Sequence, residues 1–299
     1  RHSFPTRRSS DLAVAVAAVG FAGGLLHVLN HAFFKCQLFY AAGAVYQAAH
    51  TVDMEKLGGL ARLMPYTALA FLLGGVAISA LPPLNGFTSE FVIYSGLFSG
   101  QAMAVWAQVA LGLAGALLAF VGAVSALSIT RAFGVVFLGA PRDAEVHPPV
   151  EVNRWMLWPM GLHAAGVIAL GVAPVLGLAL VRGPTELALA ALPAAPVDVL
   201  DALATALTRI GLVSAALALG IGGLIWLRVR ASPNAAARHG TWGCGYTSLN
   251  TRMQYTGASF SSDFSARFRG VMVQLRRQKQ PLGYFPQDAY IVTDCVDAV

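Results

Sequence analysis

The chain has 299 residues, 57% of them hydrophobic and 11% charged, with a formal net charge of +6. Globular domains carry roughly 25% charged residues. The mean hydropathy of +0.64 and apolar runs longer than the roughly 18–20 residues of a membrane span exclude a water-soluble enzyme and a disordered chain. Three cysteines, Cys36, Cys244 and Cys295, stand far apart with no C-x-x-C pair, so the sequence offers no iron–sulfur or zinc cluster and no disulfide framework. It carries no glycine-rich phosphate loop between a strand and a helix. Basic excess in a membrane chain is topological, so nucleic acid is excluded as a partner.

Residues 1–12, RHSFPTRRSSDL, are polar and basic and lack the apolar region and cleavage site of a signal peptide. They read as a non-native leader, the translation of a sequencing adapter, which implies a fragment whose natural N-terminus is missing. A transmembrane bundle is expected over 13–230, with five spans. Span A covers 21–49, after an apolar lead-in from Ala13. The loop TVDMEKLGGLARLMP follows, and Pro65 suits the first turn of the next helix. Span B covers 66–99 and is interrupted by LPPLNG at 81–86, where two prolines remove backbone donors. Span C covers 104–136, a polar loop with Pro141, Pro148 and Pro149 follows, and span D covers 154–181. A proline-rich connector over 183–197 leads to span E at 205–227. From residue 231 the chain is a basic polar tail. There Phe260, Phe264, Phe268, Val271 and Leu275 fall at helical spacing and predict an amphipathic helix over about 260–278, lying at the membrane interface or packed on neighbouring helices.

Lys and Arg in short loops set orientation. The A–B loop holds Lys56 and Arg62, and the C–D loop holds Arg142 and Arg154 with Arg131 close by. The B–C loop has neither, the D–E connection has only Arg182 near its start, and the stretch from Arg228 onward carries nine. This alternation places the A–B loop, the C–D loop and the tail in the cytoplasm, and the entry to span A outside.

Ionisable residues within spans are costly in hydrocarbon and mark function. His27, His31 and Lys35 lie at i, i+4 and i+8, so they stay within about 80° of one another over an axial length of about 12 Å. Each step of about 6 Å is too long for a direct hydrogen bond and short enough for one or two bridging waters. Asn30 sits beside them as an accessory polar group. Glu90 is the only carboxylate within the five spans and follows the LPPLNG break. Broken helices at membrane depth line cavities and ion sites. His163 in span D reads as a core hydrogen bonder with an accessory role as the alternative. Arg131, near the end of span C, is close enough to the surface to snorkel.

HVLNHAFFK followed by LPPLNGFTSEF resembles the proton-translocating, antiporter-like membrane subunits of respiratory complex I, multisubunit cation/proton antiporters and group 4 hydrogenases. The first motif is similar to that family's H-x-x-x-H-x-x-x-K helix, and the second to its discontinuous helix, whose ionisable residue aligns with Glu90. The tail, TWGCGYTSLNTRMQYTGASFSSDF, resembles the large membrane subunit of formate-hydrogenlyase and hydrogenase-4 complexes. The resemblance implies an all-α, polytopic membrane bundle with one discontinuous transmembrane helix and a cytoplasmic polar tail. It implies a non-redox, proton-translocating subunit of an oxidoreductase complex in the inner (plasma) membrane. Such a subunit holds no cofactor or metal, and its partners are the bilayer and the membrane and peripheral subunits of the complex. Its relay residues would be His27, His31, Lys35 and Glu90, with Glu90 taking a proton from Lys35. A sodium/proton antiporter subunit and a structural membrane anchor are the alternatives.

Overall fold

The computed structural model describes residues 7–99, 103–142, 148–190, 197–231 and 253–268, and the backbone of 273–279 and 290–296. Its element order is α1 (Arg7–Ala49), α2 (Pro65–Ile78), α3 (Asn85–Phe98), α4 (Val105–Val136), α5 (Arg154–Val172), α6 (Pro174–Leu189), α7 (Val197–Ala231) and α8 (Gly257–Arg267), followed by β1 (Val273–Lys279) and β2 (Tyr290–Val296). Within the described residues four helices are long and apolar enough to cross a membrane, at 13–49, 105–136, 154–172 and 198–231. Helix α2 is a shorter apolar helix, and the interruption between it and α3 falls where the prolines predicted it. The chain is therefore a helical membrane protein. Residues 1–6 of the expected leader lie outside the described residues, and α1 begins at Arg7.

Helix α1 is the axis of the bundle, and α2, α3, α5 and α6 all pack along it. The α1–α3 pair is antiparallel and close, because small residues face the partner. A Cβ on Gly23 would stand 3.0 Å from Val92 Cγ1, and one on Gly96 would stand 3.3 Å from Val19 Cγ1. Close backbone approach through small residues is the usual basis of helix association in membranes. One apolar core unites Ala22 and Leu26 of α1 with Val92 of α3, Leu178 and Val181 of α6, and Leu200, Leu203 and Leu207 of α7.

Two sequence expectations are corrected. Span D does not run unbroken over 154–181: α5 ends at Val172 and a separate helix, α6, starts at Pro174. Pro174 has no N–H to continue α5 and disfavours the helical region at Ala173, which adopts φ −131°, ψ 60°. Helix α7 meets this corner closely: a Cβ on Gly211 would stand 2.6 Å from the Val172 carbonyl oxygen. Residues 183–189, expected in a connector, extend α6, whose Arg182 pairs with Glu186 at 2.9 Å and with Asp201 of α7 at 2.8 Å.

The second correction concerns the tail, where the expected helix over 260–278 stops at Arg267. Residues 273–279 instead form a strand, paired antiparallel with 290–296 from Val273↔Val296 to Lys279↔Tyr290. Val271 lies outside the described residues. Val273 and Leu275 alternate with polar neighbours in VQLRRQK, a period of two that a helical reading of five widely spaced positions overrode. The helix starts one turn earlier than expected because Thr256 and Ser259 form a capping box. Its apolar face packs on α4, with Phe260 against Gly134 and Phe268 against Phe120 at 5.9 Å between ring centroids.

The A–B loop, the C–D corner and the start of the described tail meet on one side. Gly59 N donates to Leu138 O (2.8 Å) and Ala61 N to Phe137 O (2.9 Å). Arg142 Nη1 donates to Leu57 O and, at 2.7 Å, to Val135 O, while its Nη2 donates to Tyr255 O at 2.9 Å. Gln254 and the Ala140 backbone bond reciprocally at 3.0 and 3.1 Å. Glu55 Oε1 accepts from Gly257 N at 2.7 Å, placing a carboxylate at the N-terminus of α8, where the helix dipole favours negative charge. Burial draws the Arg142 guanidinium below its ordinary pKa, and nearby Glu55 opposes the shift; such a guanidinium stays charged.

Gly58 lets two loops touch here, since a Cβ there would overlap the Ala140 carbonyl oxygen. Gly58→Ala is expected to destabilise the fold by about 1–3 kcal/mol. Gly112→Ala on α4, where nothing lies within 4 Å of the new Cβ, should be neutral or better. Thermal inactivation of the two variants in the same membranes checks the contrast.

Candidate functional site

The site begins with the break between α2 and α3. Ala80 adopts φ 52°, Ala80 N donates to Ala77 O at 3.0 Å and Leu81 N to Val76 O at 3.2 Å. This is a Schellman closure with alanine in the left-handed position that glycine usually fills. It satisfies carbonyls that the end of α2 would otherwise expose in the membrane. The chain then folds back so closely that a Cβ on Gly86 would overlap the Ala77 carbonyl oxygen, and one on Gly171 of α5 would overlap Pro83. The break is thus enclosed by α1, α2, α3 and α5.

Asn30 and Asn85 close it from within. Asn30 Nδ2 donates to Asn85 O at 2.8 Å, and Asn85 Nδ2 donates to Asn30 O at 3.4 Å. Both residues are fully buried. The two amide Oδ1 atoms have no donor among the described residues, the condition under which a buried polar pocket holds ordered water. Thr88 Oγ1 and Ser89 Oγ turn back onto the same first turn of α3, at 2.8 Å and 3.4 Å from Asn85 O.

The ladder on α1 meets this centre at one end. His27 Nδ1 lies 3.1 Å from Ser89 Oγ. The His27 and His31 ring centroids are 6.0 Å apart, and Phe34 stands edge-on to His31 at 5.2 Å. Lys35 Nζ lies 5.7 Å from the ring centroid of Phe39, within cation–π range and one turn nearer the A–B loop. Four residues turn a helix by 400°, so each rung moves about 40° around α1. Only His27 faces α3. His31 and Lys35 wind onto the exposed side of the helix, where His31 is itself exposed and Lys35 half-buried.

Glu90 follows Ser89 and is half-buried, with no ion-pair partner among the described residues. It lies at the level of His27, whereas Lys35 is about 12 Å further along α1. The rung of the ladder that stands beside α3 is His27. Asn30 belongs to the site. His163 does not join it, because its Nδ1 bonds Pro159 O at 2.8 Å and its ring packs on Phe33 and Tyr40 of α1, well over 100° around α1 from the ladder. Arg131 sits beside Gly257 at the loop cluster, where a Cβ on Gly257 would stand 3.1 Å from its Nε.

The sequence reading missed Ser89, Asn85 and Gly86. Their signal was the polar run NGFTSEF directly after two prolines, since backbone freed by a break calls for nearby hydroxyls and amides. Asn30→Leu should remove the bond that Asn30 Nδ2 donates to the Asn85 carbonyl and destabilise the protein by about 1–3 kcal/mol, read as a lower midpoint of thermal inactivation in membranes.

The sequence comparisons concern the same residues. Residues 12–119 match the family described as NADH:quinone oxidoreductase/Mrp antiporter, transmembrane. The chain is 37% identical over 280 residues to Hydrogenase-4 component B of Escherichia coli, covering 89% of this chain and 40% of the relative. It is 39% identical over 164 residues to Formate hydrogenlyase subunit 3 of the same organism, covering 54% and 26%. It is 36% identical over 166 residues to NADH-quinone oxidoreductase subunit L of Mycobacterium tuberculosis, covering 54% and 24%. The chain spans less than half the length of each of these relatives. The segment that matches the NADH:quinone oxidoreductase/Mrp antiporter transmembrane family, 12–119, contains the ladder, the break and Glu90.

Proposed function

We propose that this chain is a proton-translocating membrane subunit of a redox-driven complex of the hydrogenase, formate-hydrogenlyase or NADH-quinone oxidoreductase type. Electron transfer is then carried by other subunits. The observation that carries this reading is the contact of His27 with Ser89, which joins an ionisable ladder to a broken span one residue from its carboxylate. Protons enter at Lys35, pass to His31 and His27 through bridging water, cross to α3 and reach Glu90. A structural anchor has no need of three ionisable rungs on one helix leading to such a break, each costly in hydrocarbon. A sodium/proton antiporter subunit is the second reading, favoured by the family description, which names both kinds of protein. Localisation in the inner membrane with a cytoplasmic tail is supported by the Lys and Arg count and by the meeting of Glu55, Arg142 and Tyr255 on one side.

In vesicles holding the full-length chain and its partners, Lys35→Ala should abolish electron-donor-driven acidification reported by a pH-sensitive dye. Lys35→Arg should not restore it, because a guanidinium does not release its proton. Acidification at the wild-type rate in Lys35→Ala overturns the relay. Translocation that needs a sodium gradient and ignores the electron donor selects the antiporter reading.

Glu90→Gln keeps size and hydrogen bonding and cannot ionise. It should assemble normally on a native gel and translocate at a small fraction of the wild-type rate. Cysteines introduced at Lys56 and Arg62 should react with an impermeant thiol reagent from the cytoplasmic face, and labelling from the opposite face would reverse the topology.

A further inference from the structure

Ser89 is fully buried, and its hydroxyl has three neighbours within hydrogen-bond distance. His27 Nδ1 is 3.1 Å away, Gly86 O 3.1 Å and Asn85 O 3.4 Å. A hydroxyl has one proton to donate and two lone pairs, and a carbonyl oxygen has two lone pairs. Asn85 O already accepts from Asn30 Nδ2 and Thr88 Oγ1, each at 2.8 Å. With the helical bond from Ser89 N these more than fill it, and it keeps only the longest of the three contacts to the Ser89 hydroxyl. The Ser89 proton therefore has two good targets, Gly86 O and His27 Nδ1.

Each target fixes a different histidine. When the hydroxyl donates to Gly86 O, its oxygen faces the ring as an acceptor, so His27 carries its proton on Nδ1 and Nε2 is free to accept another. When the hydroxyl turns to the ring, Nδ1 is the acceptor and the proton sits on Nε2, which then cannot take one up. We infer that Ser89 is a positioning residue that sets the tautomer of His27, and that rotation of its hydroxyl gates proton entry to that ring. This inference rests on the relay reading above and adds a gate to it.

The test uses the full-length chain in its native complex, in membranes, with ¹⁵N-labelled histidine. Solid-state NMR separates protonated from bare ring nitrogens, and His27→Gln identifies the His27 signals by their loss. The wild type should show both tautomers. Ser89→Ala should change the ratio of the two forms at least twofold, because Nδ1 loses the hydroxyl that partners it in both. Thr88→Ala should leave the ratio unchanged, because the Thr88 hydroxyl bonds Asn85 O rather than the ring, and that oxygen keeps Ser89 N and Asn30 Nδ2 as donors. A hydroxyl that only packs shifts both variants the same way or neither. An unchanged ratio in Ser89→Ala, or shifts of the same sign in the two variants, overturns the inference. If Ser89→Ala fails to assemble, Ser89→Cys, which keeps the shape but offers only a weak donor and acceptor, decides alone, with a twofold change of ratio supporting the gate and no change overturning it. Translocation by His27→Gln at the wild-type rate would refute the relay while leaving the tautomer result standing, so the two failures are distinguishable.

Discussion

Backbone N–H and C=O groups in hydrocarbon must find partners within the protein, and a helix interrupted halfway across a membrane leaves several of them free. In this chain the freed groups lie between Ile78 and Asn85, and the packing around them follows from that need. The carbonyls at the end of α2 turn back onto Ala80 and Leu81. At the start of α3, a carbonyl is taken by Asn30 from α1. Gly86 and Gly171 are small because the chain must pass where a Cβ would collide with backbone oxygen. The polar centre that results sits at the middle of α1, and the ladder that approaches it has one rung in contact.

Much of this was legible in the sequence because the signals were local and strong. Long apolar runs gave the spans, LPPLNG gave the break, and the i, i+4, i+8 spacing gave His27, His31 and Lys35 one face. What escaped reading depends on neighbours in space. That His27 rather than Lys35 stands beside α3 follows from the 40° drift of each rung combined with which face α3 occupies, and the second fact is tertiary. Ser89 looked like one hydroxyl in a polar run until α1 was placed against it. The interruption at Pro174 was local and readable, but the apolar stretch around it is long enough to hide a single proline. In the tail, five apolar positions suited a helix, and only the pairing of 273–279 with 290–296 reveals the strand.

The side bearing the loop cluster is built by different physics. Here charge is tolerated, and Arg142 and Glu55 act as staples, each binding backbone from a segment distant in sequence. The inner side of the bundle uses glycine and amide groups for the same purpose. Exposed ion pairs such as Arg182 with Glu186 and Asp201 tie α6 to α7 without entering either centre.

The beginning of α2 carries a further consequence. Pro65 opens the helix and offers no side-chain cap. Its free donors are met instead by Glu151, whose carboxylate accepts from Tyr66 N at 2.8 Å, Thr67 N at 3.3 Å and Thr67 Oγ1 at 2.6 Å. That carboxylate lies 84–85 residues later in the chain. At synthesis rates of roughly 5–20 residues per second, it leaves the ribosome about 4–17 s after the helix it caps. During that interval the first turn of α2 must rely on water or on the membrane surface. The broken span therefore cannot reach its final setting as it is made, and it locks only when the segment leading into α5 arrives.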